Sequence, residues 1–262
     1  MQTQTGTFHT SRHSTRRVLT MFAVALLLAT SPLFGQQTYV TRFDTYGGYT
    51  FLRSPAVNLF ENGFHYQFGV RPATWYSLGF DYSIASGDLT ITPDLLTTKL
   101  QSSLGPQLQY LIANHVLPAN YKLSVMAHSR TQTATVGPQL AYRHFSKITL
   151  FFRPTAGLIF EQATPKPGDA FVNSIVKGLV PSGKKNDKTW FYGVGGGIDF
   201  LFTNHLGLRV QADIVRDHLF DDLLMNSRWT TRFSVGPCFN FGKNIAKGHP
   251  IQASAASLAK GK

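Results

Sequence analysis

The stretch FYGVGGGIDFLFTNHLGLRVQADIV, residues 191–215, holds four glycines within five positions. A phosphate-binding loop would need a strand before such glycines and a helix after them, because the helix N-terminus supplies the N–H groups that bind the anion. Here apolar residues instead recur at alternate positions, with glycine or polar residues between them, from Trp190 to Phe202 and from Leu206 to Ile214. A period of two predicts a β-hairpin with one apolar and one polar face.

The same two-faced pattern occurs in eight segments. They are residues 43–53, 63–71, 75–85, 133–144, 148–161, 190–202, 206–215 and 229–241. Short turns at 72–74, 145–147 and 204–206 alternate with long connections at 54–62, 86–132, 163–188 and 215–228. Short turns on one side and long loops on the other are typical of an outer-membrane barrel with periplasmic turns and extracellular loops.

The placement of charge separates a membrane barrel from a soluble lipocalin-like barrel, which has similar strands. After residue 35, every lysine falls in a turn, a loop or the tail, whereas a soluble barrel carries lysine and glutamate on its outer face. Charged residues within the strands share the face of the glycines, and the opposite face is aromatic and aliphatic. This placement of polar residues inside and apolar residues outside is the inverse of that in a soluble protein. It predicts an all-β, eight-stranded, antiparallel, up-and-down transmembrane β-barrel.

The predicted lumen contains charged residues and glycines. The charged ones are Asp44, Arg71, Asp81, Arg143, Arg153, Asp199, Arg209, Asp213 and Arg232, and the glycines are Gly193, Gly195 and Gly197. Eight strands leave an interior that side chains just fill, so we expect the glycines to make room for arginines of neighbouring strands. Because desolvated charges need partners, we expect a paired structural network that plugs the barrel, with a proton or ion path as the alternative.

Both ends of the chain differ from the predicted barrel of residues 36–242. Residues 1–35 combine a basic stretch with an apolar run from Val18 to Ala29, which predicts a secretory signal peptide cleaved near Gly35, with a retained anchor helix as the alternative. The composition of residues 243–262 indicates a disordered periplasmic tail. Without these ends, 18 basic residues face 13 acidic ones, so the pI of about 9.9 gives little support to nucleic-acid binding.

The eight alternating strands and the closing RFSVGPCFNFG (232–242) resemble the OmpA/OmpX-type outer-membrane β-barrel domain across residues 40–242, and the phrases GPQLAYRHF (137–145), FYGVGGGID (191–199) and RFSVGP (232–237) look like uncharacterised bacterial barrels of that class. The resemblance implies location in the cell outer membrane and insertion by the barrel-assembly machinery, which reads an aromatic residue ending the last strand. Phe239 and Phe241 match that signal. We further expect a monomer without a cofactor that contacts outer-membrane lipid and lipopolysaccharide and binds no nucleic acid.

The long connections contain the remaining candidates for binding. Leucines at helical spacing after Pro93 and Pro106 predict two short helices, Asp94–Leu104 and Gln107–Val116, which cap the barrel mouth or bind a ligand or partner. Residues 121–129 are expected to extend the fourth strand, or to supply a further hairpin with residues 89–92. The third long loop carries Lys166, Lys177, Lys184, Lys185 and Lys188, which either contact lipopolysaccharide phosphates or are simply solvated.

Catalysis finds little support in the sequence. His144 and Ser146 have the His-x-Ser spacing of lipid A deacylases, but they fall in a predicted periplasmic turn, and no carboxylate is placed to orient the histidine. Scattered histidines and the single Cys238 indicate neither a metal site nor a disulfide. We therefore predict a structural or surface-binding barrel with a plugged polar lumen; the alternatives are a small pore and, with less support, a lipid A-modifying enzyme.

Overall fold

The computed structural model describes residues 37–225 and 228–246. The predicted signal peptide lies outside the described residues, as does the predicted tail of residues 243–262 from residue 247 onward; residues 243 and 244 belong to the last strand and not to a disordered tail. The strands are β1 Thr41–Ser54, β2 Leu59–Ala73, β3 Tyr76–Ile91, β4 Val125–Tyr142, β5 Ile148–Lys166, β6 Lys185–Leu201, β7 Leu206–Asp217 and β8 Arg228–Asn244. They form one closed barrel in sequence order, and all neighbours are antiparallel. The predicted fold class is confirmed.

The barrel closes between the first and last strands. Thr41 lies opposite Asn244, and Arg53 lies opposite Thr231. Closure leaves no unpaired sheet edge, which is what a β-structure needs inside a bilayer. Residues 89–91 and 125–127 pair with each other as a continuation of the β3–β4 ladder, so they lengthen two strands and do not add a hairpin.

The outer face carries a continuous apolar belt. Exposed aliphatic and aromatic side chains cover its middle, including Leu78, Phe80, Val136, Leu140, Val194 and Ile214. Trp75, Tyr142 and Phe202 are exposed near the short turns, and Phe60, Trp190 and Trp229 are exposed nearer the long loops. Two aromatic girdles around an apolar band are typical of a barrel that spans a bilayer.

The second long loop contains one α-helix, α1 Thr98–Ala113, with Pro106 inside it, so the prediction of two separate helices was wrong. A proline clashes with the backbone N–H and the Cβ of the residue before it, and Gly105 has no Cβ, so part of that restriction is absent here. The helix therefore passes through Pro106. A second helix, α2 Ala170–Leu179, lies in the third long loop. None of the helices in the described part of the chain is long and apolar enough to cross a membrane.

The interior changes character along the barrel axis. Charged and polar side chains fill the part surrounded by the apolar belt, whereas the end nearest the long loops contains an apolar cluster. The buried members of that cluster are Val57, Leu59, Leu89, Leu96, Ala127, Ile159, Ala163, Phe191, Val215, Leu219, Phe220 and Leu224. This cluster, together with α1, α2 and the loop of residues 218–225, is called the apolar cap below.

Candidate functional site: a charged lumen beneath an apolar cap

Four of the predicted lumen residues form one group of ion pairs, the Asp44 cluster. Arg209 lies opposite Asp199 in the β6–β7 ladder, and its Nε donates to Asp199 Oδ1 at 2.7 Å. Its Nη2 lies 3.2 Å from Asp44 Oδ2, and Arg71 Nη2 lies 3.4 Å from Asp44 Oδ1. Two arginines and two aspartates make this buried cluster neutral overall and tie together strands β1, β2, β6 and β7.

Four further predicted residues form a second group, the Asp81 cluster. Arg232 Nη2 lies 3.1 Å from Asp81 Oδ2 and 2.8 Å from Asp213 Oδ2. Arg153 binds the same Asp81 oxygen, and its Nε is 3.7 Å from Asp213 Oδ1. This cluster is also neutral, and it joins β3, β5, β7 and β8. Because each charge has partners of opposite sign, both clusters avoid the large desolvation cost of an isolated buried ion.

Neutral side chains that the sequence analysis did not single out link the two clusters. Gln67 Oε1 accepts from Arg209 Nη1 at 2.6 Å, and Gln67 Nε2 donates to Asp81 Oδ2 at 3.3 Å. Gln211 Nε2 donates to Asp213 Oδ2 at 2.8 Å, and His65 Nε2 lies 3.1 Å from Asp81 Oδ2. Their inward parity was readable from the sequence, since they alternate with outward apolar residues. The sequence prediction named only charged residues and glycines in the lumen, so it did not include these neutral side chains.

Arg143, the ninth predicted charge, lies apart from both clusters. Its Nε donates to the Thr74 carbonyl oxygen at 2.8 Å, and its Nη1 donates to Thr149 Oγ1 at 2.9 Å and to Gln37 Oε1 at 3.2 Å. Gln37 in turn donates to the Phe145 carbonyl oxygen at 3.1 Å. The ion pairs seen among residues 37–225 and 228–246 do not include Arg143. It helps close the short-turn end of the lumen through neutral acceptors.

The lumenal glycines make room for other groups than the sequence suggested. A Cβ at Gly195 would collide with the carboxylate of Asp213, and a Cβ at Gly197 would lie 2.6 Å from Phe151 Cζ. Phe151 supports the guanidinium of Arg209, whose Cζ is 4.8 Å from the ring centroid. The expectation that the glycines directly accommodate arginines was therefore wrong. Gly195 and Gly197 accommodate an aspartate and an aromatic ring that hold arginines in place, whereas a Cβ at Gly193 would collide with the Ile214 carbonyl oxygen and the Val215 side chain.

Little open space is left among the side chains of the two charged clusters. A void of about 20 Å³ lies among Asp44, Gln67, Gln139, Arg153 and Arg209. A single water needs roughly 10–15 Å³ of such volume. The void therefore has room for a water molecule or two and not for a column of water.

The apolar cap is held together by backbone and side-chain hydrogen bonds between loops that are distant in sequence. Thr97 N donates to the Leu223 carbonyl oxygen at 2.9 Å, and Met225 N donates to the Leu95 carbonyl oxygen at 2.8 Å. A bridge between Leu96 and Leu224 lies between these bonds. The second and fourth long loops consequently form one structure over the barrel mouth.

Asp169 fastens the third long loop to the second. Its Oδ1 caps α2 by accepting from Val172 N at 2.8 Å, and its Oδ2 accepts from the Tyr121 hydroxyl at 2.6 Å. The bond from Tyr121 and the cap bond lower the pKa of Asp169, whereas desolvation and the nearby Asp169 raise the pKa of Tyr121 to about 12. Sequence signals for α2 were present, since Asp169 is a favoured N-cap residue and apolar residues follow at helical spacing.

An apolar cavity of about 80 Å³ lies between the rim of the barrel and the two helices of the cap, partly open to solvent. Its walls include Leu89, Ala163, Val180 and Leu224. Of the described residues that line it, Lys185 alone is charged, and the ammonium group of Lys185 is paired with Asp222. The cavity lies above the charged lumen and is chemically distinct from it.

The remaining candidates lie away from both regions. Phe239 and Phe241 are exposed on the outer face of β8, and their proposed reading by the assembly machinery stays a prediction. His144 and Ser146 fall in the turn between β4 and β5, at the end opposite the cap. Within the described ranges there is no group of three or more histidine, cysteine, aspartate or glutamate side chains arranged to hold a metal ion.

Solved structures of bacterial surface barrels resemble the chain. Ail, the attachment invasion locus protein of Yersinia pestis, crystallised with the heparin analogue sucrose octasulfate, has 11% identity and a TM-score of 0.41, with 76% of this chain and 96% of that chain covered. Neisserial surface protein A has 10% identity and a TM-score of 0.45, with coverages of 76% and 96%. The outer-membrane protein OprG from Pseudomonas aeruginosa has 11% identity and a TM-score of 0.43, with coverages of 79% and 99%.

No protein-family model and no curated protein sequence matches the chain. At the identities and TM-scores given above, the likeness concerns the barrel fold, and no ligand or activity of those proteins is carried over.

Proposed function

We propose that this chain, whose fold is that of an OmpA/OmpX-type outer-membrane β-barrel, is a non-enzymatic outer-membrane protein with a sealed lumen and a structural or surface-binding role. The observation that carries the proposal is the pair of neutral ion clusters that cross-link opposite walls of the barrel. A structural barrel needs a stable wall and a stable filling. A pore needs neither cluster and is hindered by both.

The chemistry of the lumen supports sealing in two ways. The side chain of Arg209 reaches Asp199, Asp44 and Gln67 at once, so it cannot move aside without breaking several charge-assisted hydrogen bonds. An ion crossing this layer would meet no continuous water and would have to displace arginines from carboxylates. A second barrier follows above, because the buried cluster of the apolar cap consists of aliphatic and aromatic side chains.

Conductance of the refolded protein in planar bilayers tests the proposal. We expect no stable channel openings from the unaltered protein, because the void within the clusters is only about 20 Å³. The double variant Arg232→Ala with Asp213→Ala removes a matched pair and opens space, so it should conduct more often. A matched control changes Leu140 and Leu158 on the outer face to alanine. Large and long-lived openings of the unaltered protein would favour the alternative of a small pore.

The outer surface beyond the girdle supports a further part of the proposal, contact with lipopolysaccharide. Arg53, Arg130 and Lys188 are exposed on the outer face there, and Arg216 lies over the Trp229 ring at 5.7 Å. Such cations favour phosphate groups at a membrane surface. Of the loop lysines, Lys166 and Lys185 already pair with Asp88 and Asp222.

The combined change Arg130→Gln and Lys188→Gln tests that contact. We expect it to reduce the rise in unfolding temperature that lipopolysaccharide produces over phosphatidylcholine vesicles. Lys147→Gln, in a short turn, provides the matched control and should leave the rise unchanged. An equal rise for all three proteins would argue against specific phosphate contacts.

A further inference from the structure

The cavity in the apolar cap has the features of a small binding site. It measures about 80 Å³, lies between Leu104 of α1, the residues Ile175 and Val176 of α2 and the barrel rim, and is open on one side. Its walls are continuous with the apolar cluster that closes the lumen. A ligand that enters therefore reaches a floor of aliphatic side chains and goes no further.

The lining determines which ligands the cavity accepts. Apart from Lys185 and the hydroxyl of Thr92, the described side chains that line it are aliphatic, aromatic or proline. Because the charge of Lys185 is satisfied by Asp222, an anionic ligand would have to compete with a bond already made. A polar ligand would lose its hydrogen bonds to water and find little to replace them beyond the Thr92 hydroxyl. An uncharged apolar ligand has no hydrogen bonds to water to lose.

The size and construction of the cavity further narrow the class of ligand that it can bind. An apolar cavity of about 150 Å³ lined by aliphatic and aromatic residues stays dry and admits benzene. The volume here is smaller, but the open side allows part of a ring or chain to remain outside. Hydrogen bonds between Thr97 and Leu223 and between Tyr121 and Asp169 hold the walls in place before any ligand arrives. A preformed site avoids the cost of ordering its own loops.

We propose that the apolar cap binds a small uncharged apolar molecule, a single aromatic ring or an alkyl chain of similar size, in the cavity between α1, α2 and the barrel rim. Burial of apolar surface supplies the affinity, and the absence of free charge on the described walls supplies the selectivity against ionic solutes. The proposal goes beyond the sealed lumen and does not depend on it, since the cavity would accept the same ligand above a conducting barrel.

Titration of the refolded protein with benzene, followed by NMR of isotope-labelled methyl groups, tests the proposal. We expect the methyl resonances of Leu96, Val180 and Leu224 to shift and then saturate. Because benzene has only six heavy atoms, we expect a dissociation constant on the order of 1 mM. Outward methyls of Leu78, Val136 and Leu140 report benzene dissolved in the lipid or detergent, and they should shift in proportion to concentration without saturating.

A matched pair of variants locates the site. Ala163→Leu extends a side chain into the cavity and should weaken the saturable binding at least tenfold, whereas Ala156→Leu makes the same change on the outer face of β5 and should leave it unaltered. The heat-dependent gel mobility of both variants verifies that the barrel has formed. Magnetisation transfer between benzene protons and the cap methyls of the unaltered protein gives evidence that does not depend on any variant.

Two results would overturn the proposal. One is a shift of the cap methyl resonances that rises linearly with benzene concentration, as for the lipid-facing methyls. It would mean that benzene only partitions into the lipid or detergent. The other is saturable binding that survives unchanged in folded Ala163→Leu, which would place the ligand elsewhere. Neither result bears on conductance, so the failure of this inference is distinguishable from failure of the sealed-lumen proposal.

Discussion

The charged lumen and the apolar cap are enclosed by the same strands, yet their interiors are opposite in character. Along β5, the inward Arg153 lies level with the lipid-facing belt, whereas the inward Ile159 and Ala163 belong to the cap. The outward residues reverse as well, from Phe152 within the belt to Lys166 at the strand end. Partway along this strand, apolar residues therefore join the inward face on either side of the buried Glu161, and polar residues join the outward face.

This reversal follows from the solvent outside. Where lipid surrounds the barrel, apolar side chains gain nothing by turning inward, because lipid tails are as apolar as a protein core. The lumen can then hold polar groups that satisfy one another. Where water surrounds the barrel, burial of apolar surface again favours an inward apolar core, as in a soluble protein. The apolar cap is thus a small soluble-type core built on top of a membrane-type barrel.

The largest expected effect concerns the side of the membrane on which the cap lies. Single cysteines at Lys184, in the third long loop, and at Ser146, in a short turn, are introduced with Cys238 changed to serine. On intact cells a membrane-impermeant maleimide should label the Lys184→Cys protein and not the Ser146→Cys protein, because long loops face outward in barrels of this kind. Lysed cells provide the control, in which both should react. Labelling of Ser146→Cys alone on intact cells would reverse the orientation.

A large effect on stability is expected in the lumen. Arg209→Met leaves Asp199 without its partner and should destabilise the barrel by about 3 to 5 kcal/mol, the cost of breaking a buried ion pair by removing one member. The measurement is the temperature at which the heat-dependent gel shift occurs. Adding Asp199→Asn to Arg209→Met should recover part of the loss, since Asp44 keeps Arg71. An unchanged transition in Arg209→Met would mean that the charges are separately solvated.

A smaller effect is expected at the rim of the cap, from pH. Tyr121 has its pKa raised from 10.0 to about 12, so the neutral phenol is the form that the fold favours. The stabilisation is complete below the ordinary pKa and is lost as pH rises from 10 towards 12. NMR of ring-labelled tyrosine, with Tyr121→Phe to assign the resonance, measures the titration. Asp169→Asn should move the midpoint downward, and a midpoint near 10 in the unaltered protein would contradict the contact.

The reversal also explains which parts of the fold the sequence predicted. The eight strands, their order and the inward face were readable from apolar alternation, and the charged residues of both clusters followed from parity. The predicted strands ended near Arg53 and Ala85, whereas the observed ones run to Ser54 and Ile91. Beyond the belt, apolar residues join the inward face, beside the buried Glu61 and Glu161, and polar residues become common on the outward face. Where the cap begins, apolar alternation therefore no longer predicts which face of a strand points outward.

The helices of the cap show a different limit. Two prolines indicated two helix starts, but Gly105 allowed one helix to continue past the second proline. In the third loop only the lysines were predicted to have a role, although Phe171, Val172 and Ile175 follow the N-cap Asp169 at helical spacing. The cavity between these helices depends on how three loops pack, and no single segment encodes it.

Pairing of the first strand with the last has a consequence for the order of events in folding. Val40 N donates to Asn244 Oδ1 across 204 positions of sequence, whereas every other strand pair joins neighbours along the chain. Bringing such distant segments together carries the largest loop-closure entropy in the molecule and is expected to come late. Until then β1 presents backbone groups that lipid cannot satisfy. A chain interrupted before β8 would consequently have two open sheet edges and would not be stable in the bilayer. The first seven strands therefore depend on the last one to remain there.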